Sequence, residues 1–163
     1  EEARADETEA IRLDPTNAEY YCSRGLTLCC MTCYKEALAD ATEAIRLNPM
    51  NGRYYHGRSG ILRRIARYEE ALADITEAIK LEPTNAAYYK SRGTTLDVMN
   101  RYENALADYE RAIALDATDA ATYENRAETY HALADAAETD TQKAEYLRLA
   151  QADDDTAKAL RSK

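Results

Sequence analysis

Apolar residues fall at three- and four-residue steps from about Ala18 to Met31 and again from Tyr34 to Leu47, the period of amphipathic helices. The same two-stretch pattern returns further along the chain. Punctuation stands between the pairs: Asp14-Pro15-Thr16-Asn17, Asn48-Pro49-Met50-Asn51, Glu82-Pro83-Thr84-Asn85 and Asp116-Ala117-Thr118-Asp119. Proline stops the helix before it, and Asn17, Asn51, Asn85 and Asp119 are suited to cap the next helix. Small residues recur where two helices must meet: Gly25, Gly93 and Ala127 in the first helix, Ala37, Ala71 and Ala105 in the second. In the second unit Ser59-Gly60 displaces the glycine by one position. The pattern predicts an all-α chain of helix pairs.

These features share one period. Ala-Leu-Ala-Asp stands at 37–40, 71–74 and 105–108, Tyr-Tyr at 20–21, 54–55 and 88–89, and Arg at 24, 58, 92 and 126, all stepping by 34 residues. A helix pair of this size cannot bury its apolar face alone, so neighbours stack and share a core.

The period and its small and aromatic positions resemble the tetratricopeptide repeat (TPR) family, closely over residues 1–135 and loosely beyond. In the second full unit the matching residues are Tyr55, Leu62, Tyr68, Ala71, Ile75, Ala78 and Pro83; in the third, Tyr89, Gly93, Leu96, Tyr102, Ala105, Tyr109 and Ala112. Tyr replaces the usual Trp, and Ala117 stands where Pro is expected. The resemblance implies a right-handed superhelical solenoid of antiparallel helix pairs, and a non-catalytic interaction module or adaptor whose first helices line a concave groove for a partner's peptide segment.

Residues 1–163 then read as one domain. Residues 1–17 form the second helix of a partial repeat, and 18–51, 52–85 and 86–119 are full repeats. Residues 120–163 form a divergent repeat whose capping helix returns about eleven residues late, with Ala150, Asp153 and Ala157 in register. The start at Glu1-Glu2-Ala3, without Met, suggests a trimmed or processed piece. A self-associating segment of a longer scaffold therefore stands as the alternative function.

Thirty acidic against 21 basic residues give a net charge of −9, which argues against nucleic acid or an anionic membrane as partner. No apolar run reaches the roughly 20 residues of a bilayer span. All four cysteines, Cys22, Cys29, Cys30 and Cys33, fall within one repeat, unlike a secreted disulfide scaffold, and a cytoplasmic location is expected. Cys22, Cys29 and Cys33 would share one helix face. They read as apolar filler rather than as a zinc site, since Cys30-Met31-Thr32-Cys33 lacks a second half.

No catalytic, cofactor or metal motif is present, and His56 and His131 stand in different repeats. The repeated Arg24, Arg58, Arg92 and Arg126 are expected to pair with Asp6, Asp40, Asp74 and Asp108, one helix earlier in the stack. Tyr21, Tyr55, Tyr89 and Tyr123 take the family's large packing position, which leaves Tyr20, Tyr54 and Tyr88 partly exposed. Function is then sought in residues that do not repeat. By family register the groove holds Leu26 and Cys29, then Arg53, His56, Arg63 and Arg64, then Lys90, then Asn125. Five arginines and no acid stand between Arg53 and Arg67, which favours an acidic segment or a C-terminal carboxylate as ligand.

The clamp with which some family members hold heat-shock chaperone termini is disfavoured. Started at residue 18, its places hold Cys22, Leu26, Gly57, Ala87 and Ser91; started at 52, they hold His56, Gly60, Ser91, Ala121 and Asn125. Only a start at 86 finds Lys90 and Asn125, with Thr94 in place of Asn.

Overall fold

The structure is a computed structural model that describes residues 2–162, and side chains from residue 5 onward. Glu1 and Lys163, the ends of the expected domain, and the side chain of Ala3 lie outside it. The described residues form nine α-helices and divide into two compact units, Glu1–Pro83 and Thr84–Lys163.

The first unit holds α1 (Glu2–Leu13), α2 (Ala18–Cys30), α3 (Tyr34–Leu47), α4 (Gly52–Arg64) and α5 (Tyr68–Leu81). Asn17 and Asn51 cap α2 and α4, each side chain accepting a hydrogen bond at 3.0 Å from the backbone N–H two residues on. Each first helix ends in a left-handed residue, Thr32 (φ 60°) and Ala66 (φ 60°). The next N–H, of Cys33 or Arg67, bonds back to Leu28 or Leu62 at 2.9 Å and closes the turn. This turn takes Cys33 out of α2, so the cysteines do not share one helix face.

The core of this unit is built from small second-helix residues against larger first-helix ones. Ala18, Cys22, Ala44, Ile45 and Tyr54 form one cluster, and Leu28, Ala37, Ala41 and Ile61 another. It is Tyr54, expected to be partly exposed, that is buried, while Tyr55 is half-buried at the rim. Tyr54 lies on the stripe with Ile61, two turns on, that meets the preceding repeat; one residue turns Tyr55 about 100° away. At the close approach of α2 and α3 a Cβ on Gly25 would stand 3.3 Å from the Ala37 carbonyl oxygen. Ser59 fills that register in α4 and is buried, whereas Gly60 faces open space. The small position is therefore not displaced.

The second unit holds α6 (Ala86–Val98), α7 (Tyr102–Leu115), α8 (Ala120–Asp135) and α9 (Asp140–Arg161). Asn85 and Asp119 cap α6 and α8, and Asn100 (φ 58°) is the left-handed residue between α6 and α7. Tyr88 and, in its register, Thr122 are buried, so the tyrosine expectation fails here in the same way. Tyr89 and Tyr123 are half-buried, with the guanidinium groups of Arg92 and Arg126 each 5.8 Å from the ring centre. Gly93 is obligatory in shape: a Cβ there would stand 2.7 Å from the Tyr109 ring. Ala150, Asp153 and Ala157 are the buried residues of α9.

The arginine ladder exists, with a different partner. Arg24 holds Asp40 through two bonds of 2.8 Å, and Arg58 holds Asp74 through two of 2.7 Å. Arg92–Asp108 and Arg126–Asp153 are equally two-pronged, at 2.7 Å. Each pair closes within a repeat, not onto the helix before it. The hairpin explains this: Arg24 and Asp40 each lie eight residues from Thr32, so equal helical rise brings them level. The earlier helix is reached only by the remaining guanidinium nitrogen, from Arg24 to Thr8 Oγ1 (3.4 Å) and from Arg58 to Thr42 Oγ1 (3.3 Å).

Candidate functional site

In the first unit the expected groove residues lie on α2 and α4. Leu26 is 46% exposed, unusual for leucine on a packed helix, and Cys29 beside it is half-buried. Both stand toward α4, where Gly57 joins Leu26 in lining a cavity of about 10 Å³, no larger than one water. A Cβ at Gly57 or Gly60 would meet nothing within 4 Å, so this surface of α4 is bare backbone.

The basic residues of α4 are not equivalent. Arg53, in the first turn, forms a 2.7 Å ion pair with Glu19 of α2, which also accepts a 3.2 Å hydrogen bond from the Tyr54 hydroxyl. Its charge is therefore already answered. His56 is half-buried in mid-helix. Arg63 (half-buried) and Arg64 (exposed) occupy the last turn, where the helix dipole favours cations. Neither has an ion-pair partner among the described residues. Arg64 lies close enough to Cys29 to favour its thiolate, but burial is stronger and holds the Cys29 thiol above its ordinary pKa. Burial likewise raises Cys22.

In the second unit Lys90 and Asn125 are held inside a polar seam between α6 and α8. Lys90 Nζ pairs with Asp119 Oδ2 at 2.7 Å, and Asp119 also accepts from the Thr122 hydroxyl at 2.7 Å. These contacts hold the Asp119 carboxyl below its usual pKa against the opposing effect of burial. Asn125 donates to Thr94 Oγ1 at 3.2 Å, and Thr129 donates to Asp97 at 2.7 Å. The basic Lys90 thus serves α6–α8 packing.

Sequence reasoning missed Glu19 and Asp119 as partners. For Glu19 the signal was available, since it precedes Arg53 by one 34-residue period and so shares its register on the neighbouring first helix. Asp119 was read only as a cap. Among the described residues no group of three or more His, Cys, Asp or Glu is arranged to hold a metal ion, and no helix is long and apolar enough to cross a membrane.

Comparison with known proteins follows the fold. A tetratricopeptide repeat family model matches residues 52–85, and a TPR repeat model matches residues 99–133. MamA (residues 41 to the end) from Desulfovibrio magneticus RS-1 superposes with a TM-score of 0.79 at 17% identity, covering 99% of this chain and 85% of that one. YrrB, described as a TPR protein with an unusual peptide-binding site, gives 0.69 at 22% identity, covering 98% of this chain and 82% of that one. The first TPR of Spaghetti (RPAP3), solved with the HSP90 peptide SRMEEVD, gives 0.69 at 23% identity, covering 74% of this chain and 96% of that one. At these identities the likeness is one of fold. No curated protein sequence matches the chain. Two matched repeats, the 34-residue period and a fold shared with TPR solenoids place the chain in the tetratricopeptide repeat family.

Proposed function

We propose that the chain is a non-catalytic adaptor whose α2–α4 surface binds an acidic peptide segment of a partner protein. TPR proteins are in general protein-interaction modules, and two structural neighbours are described with a peptide-binding site or a bound peptide. The observation that carries the acidic ligand is the pair Arg63 and Arg64. They are cations at a helix C-terminus, without an internal partner among the described residues, in a chain of net charge −9. Leu26 and Cys29 offer an apolar contact beside them, and the bare backbone at Gly57 and Gly60 lets a ligand approach closely. Arg53 and His56 complete the contact set on this unit, and Arg53 contributes less, because Glu19 competes with the ligand's acids. Four free thiols suit a reducing, cytoplasmic setting.

The test is a fluorescence titration with an acidic peptide bearing a free C-terminal carboxylate, against its amidated twin, at low and physiological salt. Salt-sensitive binding is expected, weakened at least tenfold by Arg63→Glu with Arg64→Glu. Arg53→Glu should weaken it less. Equal affinity in the Arg63/Arg64 double variant and the parent would remove the basic surface from the mechanism.

A further inference from the structure

The caps of the first helices differ in the residue that follows them. Asn17, Asn85 and Asp119 each precede an alanine, whereas Asn51 precedes Gly52. Of the chain's seven asparagines only Asn51 is followed by glycine. That pair of residues has a chemistry of its own. The backbone nitrogen after an asparagine can attack the side-chain amide carbon. A Cβ on the following residue crowds that nitrogen, and glycine leaves it open.

The fold holds the two groups apart. Asn51 lies at φ −104° and ψ 108°, where its Cα hydrogen rather than its Cβ stands alongside the Gly52 nitrogen. Its Oδ1 accepts a 3.0 Å hydrogen bond from the Arg53 N–H, and its carbonyl oxygen accepts one at 3.2 Å from the Tyr54 N–H. Attack on the amide carbon therefore requires the first turn of α4 to open. Gly52 favours that opening, because glycine gives up more backbone freedom in a helix than the alanine that starts α2, α6 and α8.

We propose that Asn51–Gly52 is a site of spontaneous deamidation, closed by the α4 cap and reached by local opening of that helix's first turn. The Gly52 nitrogen loses its proton to solvent and bonds to Asn51 Cγ, and the side-chain amide leaves as ammonia, giving a succinimide. Water then breaks one of the two imide C–N bonds. Breaking the bond to Cγ leaves aspartate in an unaltered main chain, and aspartate keeps the cap, as Asp119 does for α8. Breaking the bond to the main-chain carbonyl leaves isoaspartate. The backbone then runs through Cγ with an added methylene, and the carbonyl that held the Tyr54 N–H becomes a free carboxylate. This second product loosens the turn that seats Tyr54 in the core and carries Arg53 to Glu19.

The test ages the parent chain at mildly alkaline pH, folded and in urea, and follows the mass of the 47–53 tryptic peptide against a zero-time digest. The other asparagine of that peptide, Asn48, cannot react by this route, because the Pro49 nitrogen carries no proton. Conversion to two products of equal mass is expected, about tenfold or more faster in urea than in the fold. The folded chain should nonetheless convert faster than its globally unfolded fraction, taken from urea unfolding, allows. Gly52→Ala, which reproduces the Asn-Ala caps of α2 and α6, should slow the reaction in urea about tenfold or more, and the peptides carrying Asn17 and Asn85 should stay intact. A folded-state rate no greater than the unfolded-state rate times that fraction would overturn the local opening. Equal rates in and out of the fold would overturn the closure by the cap, and a Gly52→Ala chain that reacts as fast as the parent would overturn the site.

Discussion

Arg126 holds Asp153 through two bonds of 2.7 Å, the same fork that Arg24 makes with Asp40, although 27 residues separate the first pair and 16 the second. Of the eleven extra residues, three lengthen α8, one lengthens the 136–139 connection and seven lengthen α9 ahead of its aspartate, so α9 still presents Asp153 at the height of the arginine. The Tyr130–Tyr146 ring contact, with centroids 6.4 Å apart, seals the same pair of helices nearer the connection.

Removing the Asp153 carboxylate should therefore loosen α9. Its side chain is 7% exposed and that of Arg126 18%, so Asp153→Ala strands a charge that is largely out of water. The expected loss is about 3 kcal/mol, read from the urea midpoint. Asp6→Ala, at the same register but exposed, should cost under about 0.5 kcal/mol. Equal costs at the two sites would mean that the fork in the last repeat contributes nothing of its own.

The left-handed turn residues permit an internal comparison, because Thr32, Ala66 and Asn100 hold the same conformation with different side chains. Asparagine tolerates it, whereas alanine and the β-branched threonine are strained by about 1–2 kcal/mol. Glycine relieves the strain but adds about 0.4–1 kcal/mol of unfolded-state entropy. Thr32→Gly and Ala66→Gly should thus each stabilise by about 0.5–1 kcal/mol net, and Asn100→Gly should be near neutral. Thermal midpoints of the three single variants would check the order.

The three left-handed residues also mark where the sequence was readable. Period, caps and small positions are local signals repeated in register, and they place every helix pair. Partner choice was less accessible. Asp6, Asp40, Asp74 and Asp108 repeat as regularly as the arginines, so the 34-residue step alone allows pairing forward or backward; the level geometry about Thr32 decides it. Tyr54 and Tyr55 are adjacent and identical, and only the packing of the preceding repeat selects which is buried. At the candidate site, the cluster of arginines was visible. That Arg53 is neutralised by Glu19 and Lys90 by Asp119, while Arg63 and Arg64 stand without such partners, required the side chains themselves.

Glycines separate packing from access. Gly93→Ala puts a Cβ 2.7 Å from the Tyr109 ring, and the overpacking should cost about 1–3 kcal/mol. Combining it with Tyr109→Ala, which removes the ring that the added Cβ meets, should cost less than the sum of the two single variants. Gly57→Ala meets nothing within 4 Å and should gain up to about 1 kcal/mol from helix propensity. Additive Gly93 and Tyr109 effects in a urea double-mutant cycle would show that the ring is not the obstacle.

Tyr109 also gives the second unit a definite alkaline limit. Burial pushes its phenol up to about 12, with the hydroxyl 3.4 Å from Thr94 Oγ1. An unfolded chain releases this proton near the ordinary tyrosine value of about 10. Below pH 10 both states keep the proton and the group has no effect on stability. Above it the unfolded state binds fewer protons than the folded state, so stability falls as pH rises, by about 1.4 kcal/mol per unit until the folded phenol ionises as well. Tyr109→Phe removes this slope. Urea unfolding at pH 8 and pH 11 should show the variant losing about 1.4 kcal/mol less than the parent over that interval. An equal loss in both chains would mean that the Tyr109 phenol ionises in the fold as readily as in water.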